Sequence, residues 1–405
     1  MIKENKKNII LIFALLLMIP AAMNYVWSIL QPYIMTYFSI DSASASVPAM
    51  INMGIFPIGN ILSGKMQQKI SVTKILAASC AAGVCSILII SALPPSAYLL
   101  FTVLYGVIFS LCCGVIYNAI LSTAQKWFYY KLGSVTGLLL CMIGISGFSL
   151  SPLCSSLLLK TGLSSTFLIL GIVFAVIYTP AIFVIKSPPE GYIKSHSTSG
   201  NEKIMQYDYT VKEMVKTRYY YLITLSFMFA VPAFALINPI FVITGLERSI
   251  TYQQAIAGVM FASLAQSGGR LVLPWLSDKI KREPALLLTF IICAAAVIML
   301  AFAKGTLFIL LFMILAFSYG GFMGQYPAVS THYFGIKNAG LNYGIVMLGF
   351  SVAAILSPFL AKAVLKTQMG TSLSFLIAGC ACAVGMTLII ILYKSSLKSS
   401  IKETQ

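Results

Sequence analysis

The chain has 405 residues, of which 59% are hydrophobic and 9% charged. Soluble domains run about 45–50% apolar and about 25% charged, so a water-soluble fold is excluded. The formal charge of +17, from 27 Lys and Arg against 10 Asp and Glu, would point to nucleic acid in a soluble protein. Here the cations fall in short gaps between apolar runs, where they act as topology signals, and no nucleic-acid partner is expected.

Roughly 20 apolar residues cross the hydrocarbon core of a bilayer, which is about 30 Å thick. Twelve such runs follow one another, near 8 to 35, 43 to 63, 73 to 93, 96 to 125, 132 to 159, 164 to 186, 219 to 245, 254 to 277, 285 to 303, 305 to 330, 340 to 361 and 371 to 394. They are continuously apolar and do not alternate every second residue, which excludes a transmembrane β-barrel. Lys3 to Lys7 and the following Ala21-Ala22 look like a secretory signal, yet the apolar run continues to about Met35, longer than a signal core. An uncleaved first helix is therefore expected. With its amino terminus inside, 21 cations lie on the cytoplasmic side and five (Lys160, Arg248, Lys304, Lys362, Lys366) outside. That asymmetry predicts a multi-pass protein of the cell membrane with both termini cytoplasmic. All nine cysteines lie in apolar runs with neither zinc spacing nor a disulfide framework, and they read as small apolar helix residues.

Two internal echoes share nearly one period. Gly64-Lys65-Met66-Gln67-Gln68-Lys69 returns 210 residues later as Pro274-Trp275-Leu276-Ser277-Asp278-Lys279, each a short basic turn after an even-numbered helix. Trp127-Phe128-Tyr129-Tyr130-Lys131 with Gly133 returns as Tyr333-Phe334-Gly335-Ile336-Lys337 with Gly340. The one long polar stretch, 187 to 218, separates the copies. The predicted fold is all-α and integral to the membrane: twelve transmembrane helices in two six-helix halves, 1–186 and 219–405, joined by a cytoplasmic linker at 187–218. From Tyr207 to Arg218 the linker has mixed helical patterning, read either as a surface helix or as a solvated connection.

These residues resemble the major facilitator superfamily and, within it, the oxalate/formate antiporter family, whose relatives are the monocarboxylate transporters. Both basic turns look like the superfamily's gating loop, Gly-x-Leu-x-Asp-Arg-x-Gly-Arg, although Gln68 replaces the acid in the first and Pro274 and Lys281 replace glycines in the second. The resemblance implies gating roles for Lys65, Asp278, Lys279 and Arg282. Closer to the narrower family are Asp208-Tyr209-Thr210-Val211-Lys212-Glu213-Met214, Gln125-Lys126-Trp127-Phe128 and the stretch from Tyr333 to Gly344.

One charge, Arg270, lies well inside an apolar run, about 12 Å along the helix from Asp278 at 1.5 Å per residue. A central Arg costs about 2.5–3.5 kcal/mol to insert, so it should face a cavity or a partner. None of the ten acids falls deep in a span by this reading, and Glu283 is placed at a boundary. A small carboxylate would satisfy the guanidinium fork bidentately, which makes Arg270 an anion-site candidate. Snorkelling or pairing with backbone carbonyls is the plainer alternative. Gln31, Tyr117, Asn118 and Tyr326 could complete the pocket, with Phe322 one turn before Tyr326. The resemblance favours Arg270, Tyr117 and Tyr326, since related carriers use a helix-8 arginine and aromatic residues on helices 4 and 10.

Two departures bear on the substrate. Oxalate-exchanging members carry a lysine within helix 11, where Val346-Met347-Leu348-Gly349-Phe350-Ser351 has none. Animal-type monocarboxylate carriers have an aspartate four residues before the arginine, where this chain has Gln266. Glycines are dense near 137 to 147 and 340 to 349, the small residues that let helices approach and slide. No Gly-Lys-Ser/Thr phosphate loop exists, no cofactor or metal is expected, and His196 and His332 read as solvated residues in or near loops. The expected function is secondary transport of small organic anions, monocarboxylates first, by alternating access, in a monomer with no enzymatic activity. A co-transported proton or an exchanged anion is the candidate coupling partner. A major facilitator exporter of neutral amphiphiles and a non-transporting membrane sensor are the competing readings.

Overall fold

The computed structural model describes residues 4–189, 192, 208–365 and 371–402. Chain order runs α1 (Glu4–Leu17), a 3-10 segment (Pro20–Val26), α2 (Trp27–Phe38), α3 (Ser42–Met66), α4 (Val72–Ser91) and α5 (Tyr98–Thr102). A π-helical segment (Val103–Phe109) leads into α6 (Ser110–Trp127), followed by α7 (Leu132–Val184) and the single-turn α8 (Val211–Met214). The remainder is α9 (Arg218–Ala230), α10 (Pro232–Ile237), α11 (Phe241–Glu247), α12 (Tyr252–Ile280), α13 (Arg282–Phe302), α14 (Gly305–Phe334), α15 (Ala339–Leu365) and α16 (Thr371–Lys402).

Among the described residues, ten helices are long and apolar enough to cross a membrane. The longest, Tyr129–Val184, is two helices meeting at Gly162, whose φ of 77° and ψ of −178° only a residue without Cβ adopts cheaply. The first predicted span is broken at Pro20 into α1, the 3-10 segment and α2, so none of its pieces reaches crossing length alone. Counted with that broken span and the corner at Gly162, the ten are consistent with twelve crossings. The first span of the second half is interrupted in the corresponding place, at Pro232 and again at Asn238–Ile240. Proline removes an amide donor and crowds the preceding turn, so both of these spans are discontinuous.

Helix ends follow local chemistry. Asp41 caps α3 by accepting from the Ser44 amide at 3.2 Å. Thr251 and Gln254 form a reciprocal capping box on α12. Arg248 donates to the carbonyls of Leu300 and Ala303 where α13 ends, with its guanidinium over the rings of Phe308 and Phe375 at 5.2 and 5.1 Å. A cation there complements the exposed carbonyls of a helix C-terminus. In the linker, only residues 187–189, 192 and 208 onward are described; there Thr210 and Glu213 box the start of α8, and the Tyr209 amide donates to Phe334 O at 3.0 Å.

By its contacts the chain forms two compact units: 1–130, 142–206 and 336–345 in the first, and 131–141, 207–335 and 346–405 in the second. The opening turns of α7 belong to the second unit, and those of α15 to the first. These two segments begin within the second pair of sequence echoes, at 131 and 336.

Candidate functional site

In the second unit, α12 carries Arg270 inward, 5% exposed. Its Nη2 donates to Gln266 Oε1 at 3.3 Å, the residue one turn earlier on the same face, and its Nη1 to Leu140 O on α7 at 3.4 Å. Both acceptors are neutral, and both bonds lie beyond the usual 2.9–3.0 Å. Close approach of α7 explains why a backbone carbonyl reaches the guanidinium. A Cβ at Gly137 would collide with Arg270 O, so glycine there lets the two helices touch.

Two other residues marked in the sequence share this unit. Tyr326 is fully buried, donates to Ser226 Oγ at 2.9 Å and stacks on Phe227 with centroids 4.0 Å apart. Phe322, one turn earlier, lies 6.5 Å from Tyr326 and packs on Phe290 at 4.4 Å. Between them Gln325 donates to Leu273 O at 3.2 Å while its Oε1 accepts from Thr289, tying α12, α13 and α14 together.

The first unit holds the others. Tyr117 is 5% exposed, its hydroxyl 3.5 Å from that of Tyr343 and its ring 5.3 Å from Phe56. Gln31 donates to Ser46 Oγ at 3.0 Å. Asn118 donates to Gly340 O at 2.8 Å and accepts from Gln67 Nε2 at 3.1 Å, while Gln67 Oε1 accepts from Ser122 at 2.7 Å. Asn118 thus sits in a polar network that holds the first turn of α15.

The four residues to which the resemblance gives gating roles separate into an ion pair of low exposure and two exposed lysines. Asp278 accepts from the Gly133 amide at 2.9 Å and from the amide and hydroxyl of Ser134, both at 2.6 Å, and pairs with Arg282 Nη1 at 2.6 Å. Arg282 also donates to Ser277 Oγ at 2.7 Å. Lys279 lies over the Trp275 ring at 3.8 Å, and Lys65 is exposed in the last turn of α3.

One sequence reading needs correction, and one boundary acid has a distant partner. Glu283 stands at a helix boundary as expected, the second residue of α13, but is buried there, 5% exposed, and accepts from the Tyr333 hydroxyl. The partner is 50 residues away, so no local pattern could reveal it. His332, read as solvated near a loop, is half-buried in the last turn of α14, edge-on to Tyr333 at 5.5 Å. That helix runs to Phe334, four residues past its expected end.

The described elements are all helical, the first spans before and after the linker are broken, and a buried arginine on α12 donates to a carbonyl and an amide oxygen. The family model for the Major Facilitator Superfamily matches residues 12–340, and the chain belongs to that superfamily as a multi-pass membrane protein. It is 27% identical over 255 residues to YhjX of Escherichia coli strain K12, an uncharacterized MFS-type transporter, and 25% identical over 267 residues to the oxalate:formate antiporter of Oxalobacter formigenes. Those matches cover 62% and 65% of this chain and 62% of each relative's length. Among solved structures, the MFS transporter FucP superposes with a TM-score of 0.72 at 15% identity, covering 94% of this chain and 97% of that one. A bacterial homologue of the iron transporter ferroportin gives 0.71 at 12% identity, covering 96% and 99%. These two likenesses concern the fold.

Proposed function

We propose that this major facilitator protein carries small organic anions, monocarboxylates first, by alternating access, with Arg270 receiving the substrate carboxylate. The observation that carries the reading is the setting of Arg270: a charge 5% exposed within a span, held by a carbonyl and an amide oxygen at 3.3–3.4 Å. Such long bonds to neutral acceptors are readily exchanged for a bidentate carboxylate, which satisfies the fork with charge-assisted bonds. Gln266 is then a positioning residue for Arg270. Tyr117, Gln31 and Asn118 remain proposed contributors to substrate binding; Tyr326 and Phe322 supply aromatic surface. Asp278 and Arg282, with Lys65 and Lys279 beside them, are the proposed gate. A monomer in the cell membrane, organised as 1–186, 187–218 and 219–405 with both ends in the cytoplasm, fits the cation distribution. The similarity to an oxalate:formate antiporter supports the anion class and favours exchange as the mode of coupling.

The test is flux of labelled formate, acetate, lactate and pyruvate into proteoliposomes, preceded by a thermal-shift panel of the same acids. Arg270→Lys keeps the charge but loses the planar fork and should weaken binding by about 1–3 kcal/mol, and Arg270→Ala by at least as much. A well-folded Arg270→Ala protein that transports a carboxylate at wild-type affinity and rate would sink the proposal.

A further inference from the structure

The first unit contains a cavity of about 350 Å³ where α4 begins and α6 and α7 end. Its polar lining is Gln67, Ser71, Thr73, Lys126, Lys186 and Ser187. Ile70 and Val72 complete the wall with apolar surface. Among the described residues that line it, the charged side chains are the two lysines. A volume near 350 Å³ lies within the range of small-molecule sites. An anion held in that space is attracted by both cations.

The walls are built rather than incidental. Thr73 donates its hydroxyl to Ile185 O at 3.2 Å, and the Trp127 indole donates to Lys186 O at 2.7 Å, so the backbone bearing Lys186 is fixed from both sides. Gln67 is held by Ser122 and Asn118. Ser71 caps α4 by position, yet its side chain makes no capping bond, leaving its hydroxyl to donate elsewhere. Two lysines, the hydroxyls of Ser71 and Ser187 and the amide-rich start of a 20-residue helix form a donor set suited to a compact oxyanion with three or four oxygens, more than a carboxylate offers.

We propose that this cavity binds a phosphate group, carried either by the head of an anionic phospholipid or by a free phosphate. The cavity's lining lies in the first unit and Arg270 in the second. Its position where three helices end, on the side that the positive-inside pattern assigns to the cytoplasm, gives access to both sources.

The test compares wild type with a Lys126→Gln/Lys186→Gln variant. Inorganic phosphate, with acetate at equal ionic strength as control, is titrated in a detergent thermal-shift assay. Retained lipid is counted by native mass spectrometry from nanodiscs of phosphatidylcholine with and without phosphatidylglycerol. Preferential retention of phosphatidylglycerol, reduced about tenfold in the variant, identifies the lipid source. A phosphate-specific stabilisation lost in the variant, without lipid preference, identifies free phosphate. Either result supports the proposal. If phosphate acts no differently from acetate and the lipids are retained equally, or if the variant binds as wild type does, the proposal is overturned. Should the double variant fail to fold, the exposed Ser71→Asp change puts a negative charge at the cavity and should abolish the same binding.

Discussion

The Asp278 carboxylate caps the opening of α7 at Ser134, accepting from both its amide and its hydroxyl at 2.6 Å. The first amides of a helix have no intrahelical acceptor and carry the positive end of its dipole. A carboxylate from another helix therefore does there what an N-cap side chain does locally. Arg282 holds that carboxylate from behind at 2.6 Å.

Asp278→Asn keeps the shape but removes the charge, leaving Arg282, 5% exposed, facing a neutral amide. The expected result is a loss of about 1–3 kcal/mol and a lower Tm, together with faster hydrogen exchange at the Gly133 and Ser134 amides. Unchanged protection of those two amides would contradict the capping role.

How far the sequence led depends on whether the signal was local. Arg270 stood out as a charge in an apolar run, and its pairing with Gln266 follows from i, i+4 spacing. The repeat was legible as two echoes, but that the opening turns of α7 belong to the second unit and those of α15 to the first was not. Breakage of the first span was missed: α1 to α2 reads as one apolar run, and only Pro20 marks where the backbone departs from a helix. Partners distant in sequence were not legible. Nothing near Tyr326 announces Ser226, 100 residues earlier, and nothing near Asn118 announces Gly340.

Glu213 provides a pH test outside the membrane. Bonds from the Thr210 amide and hydroxyl, each 2.8 Å, hold its carboxyl below the usual carboxylate range. Because the folded pKa is lowered, the capping box is present above the ordinary carboxylate value and lost as pH falls through the folded one. Proteolysis between residues 208 and 214 should accordingly rise on acidification, and Glu213→Gln, which can keep the box as Gln254 does on α12 but carries no titrating charge, should remove the dependence. A wild-type profile as flat as the variant's would contradict this.

Topology is checked at Lys212, exposed in α8. In a cysteine-free background, Lys212→Cys should resist an impermeant thiol reagent on intact cells and react once the membrane is opened. Rapid labelling from outside would invert the orientation that the 21 cytoplasmic cations predict.

A singly charged carboxylate should be preferred over oxalate. Arg270 can neutralise one carboxylate, and the segment from Val346 to Ser351, where oxalate-exchanging relatives of the resembled family place a lysine, offers no cation. A second carboxylate would enter a low-dielectric site unpaired, at several kcal/mol, more than hydrogen bonds from tyrosine or glutamine restore. The described aromatic surface nearest in kind, Phe322 and Tyr326 on α14, is fully buried and better suited to an apolar tail than to a charge. Competition at fixed pH and salt should therefore rank acetate, lactate and pyruvate above oxalate by tenfold or more, since about 1.4 kcal/mol corresponds to each factor of ten. Tight oxalate binding without competition from the monocarboxylates would refute the charge count and direct attention to Lys362, whose side chain lies outside the described residues.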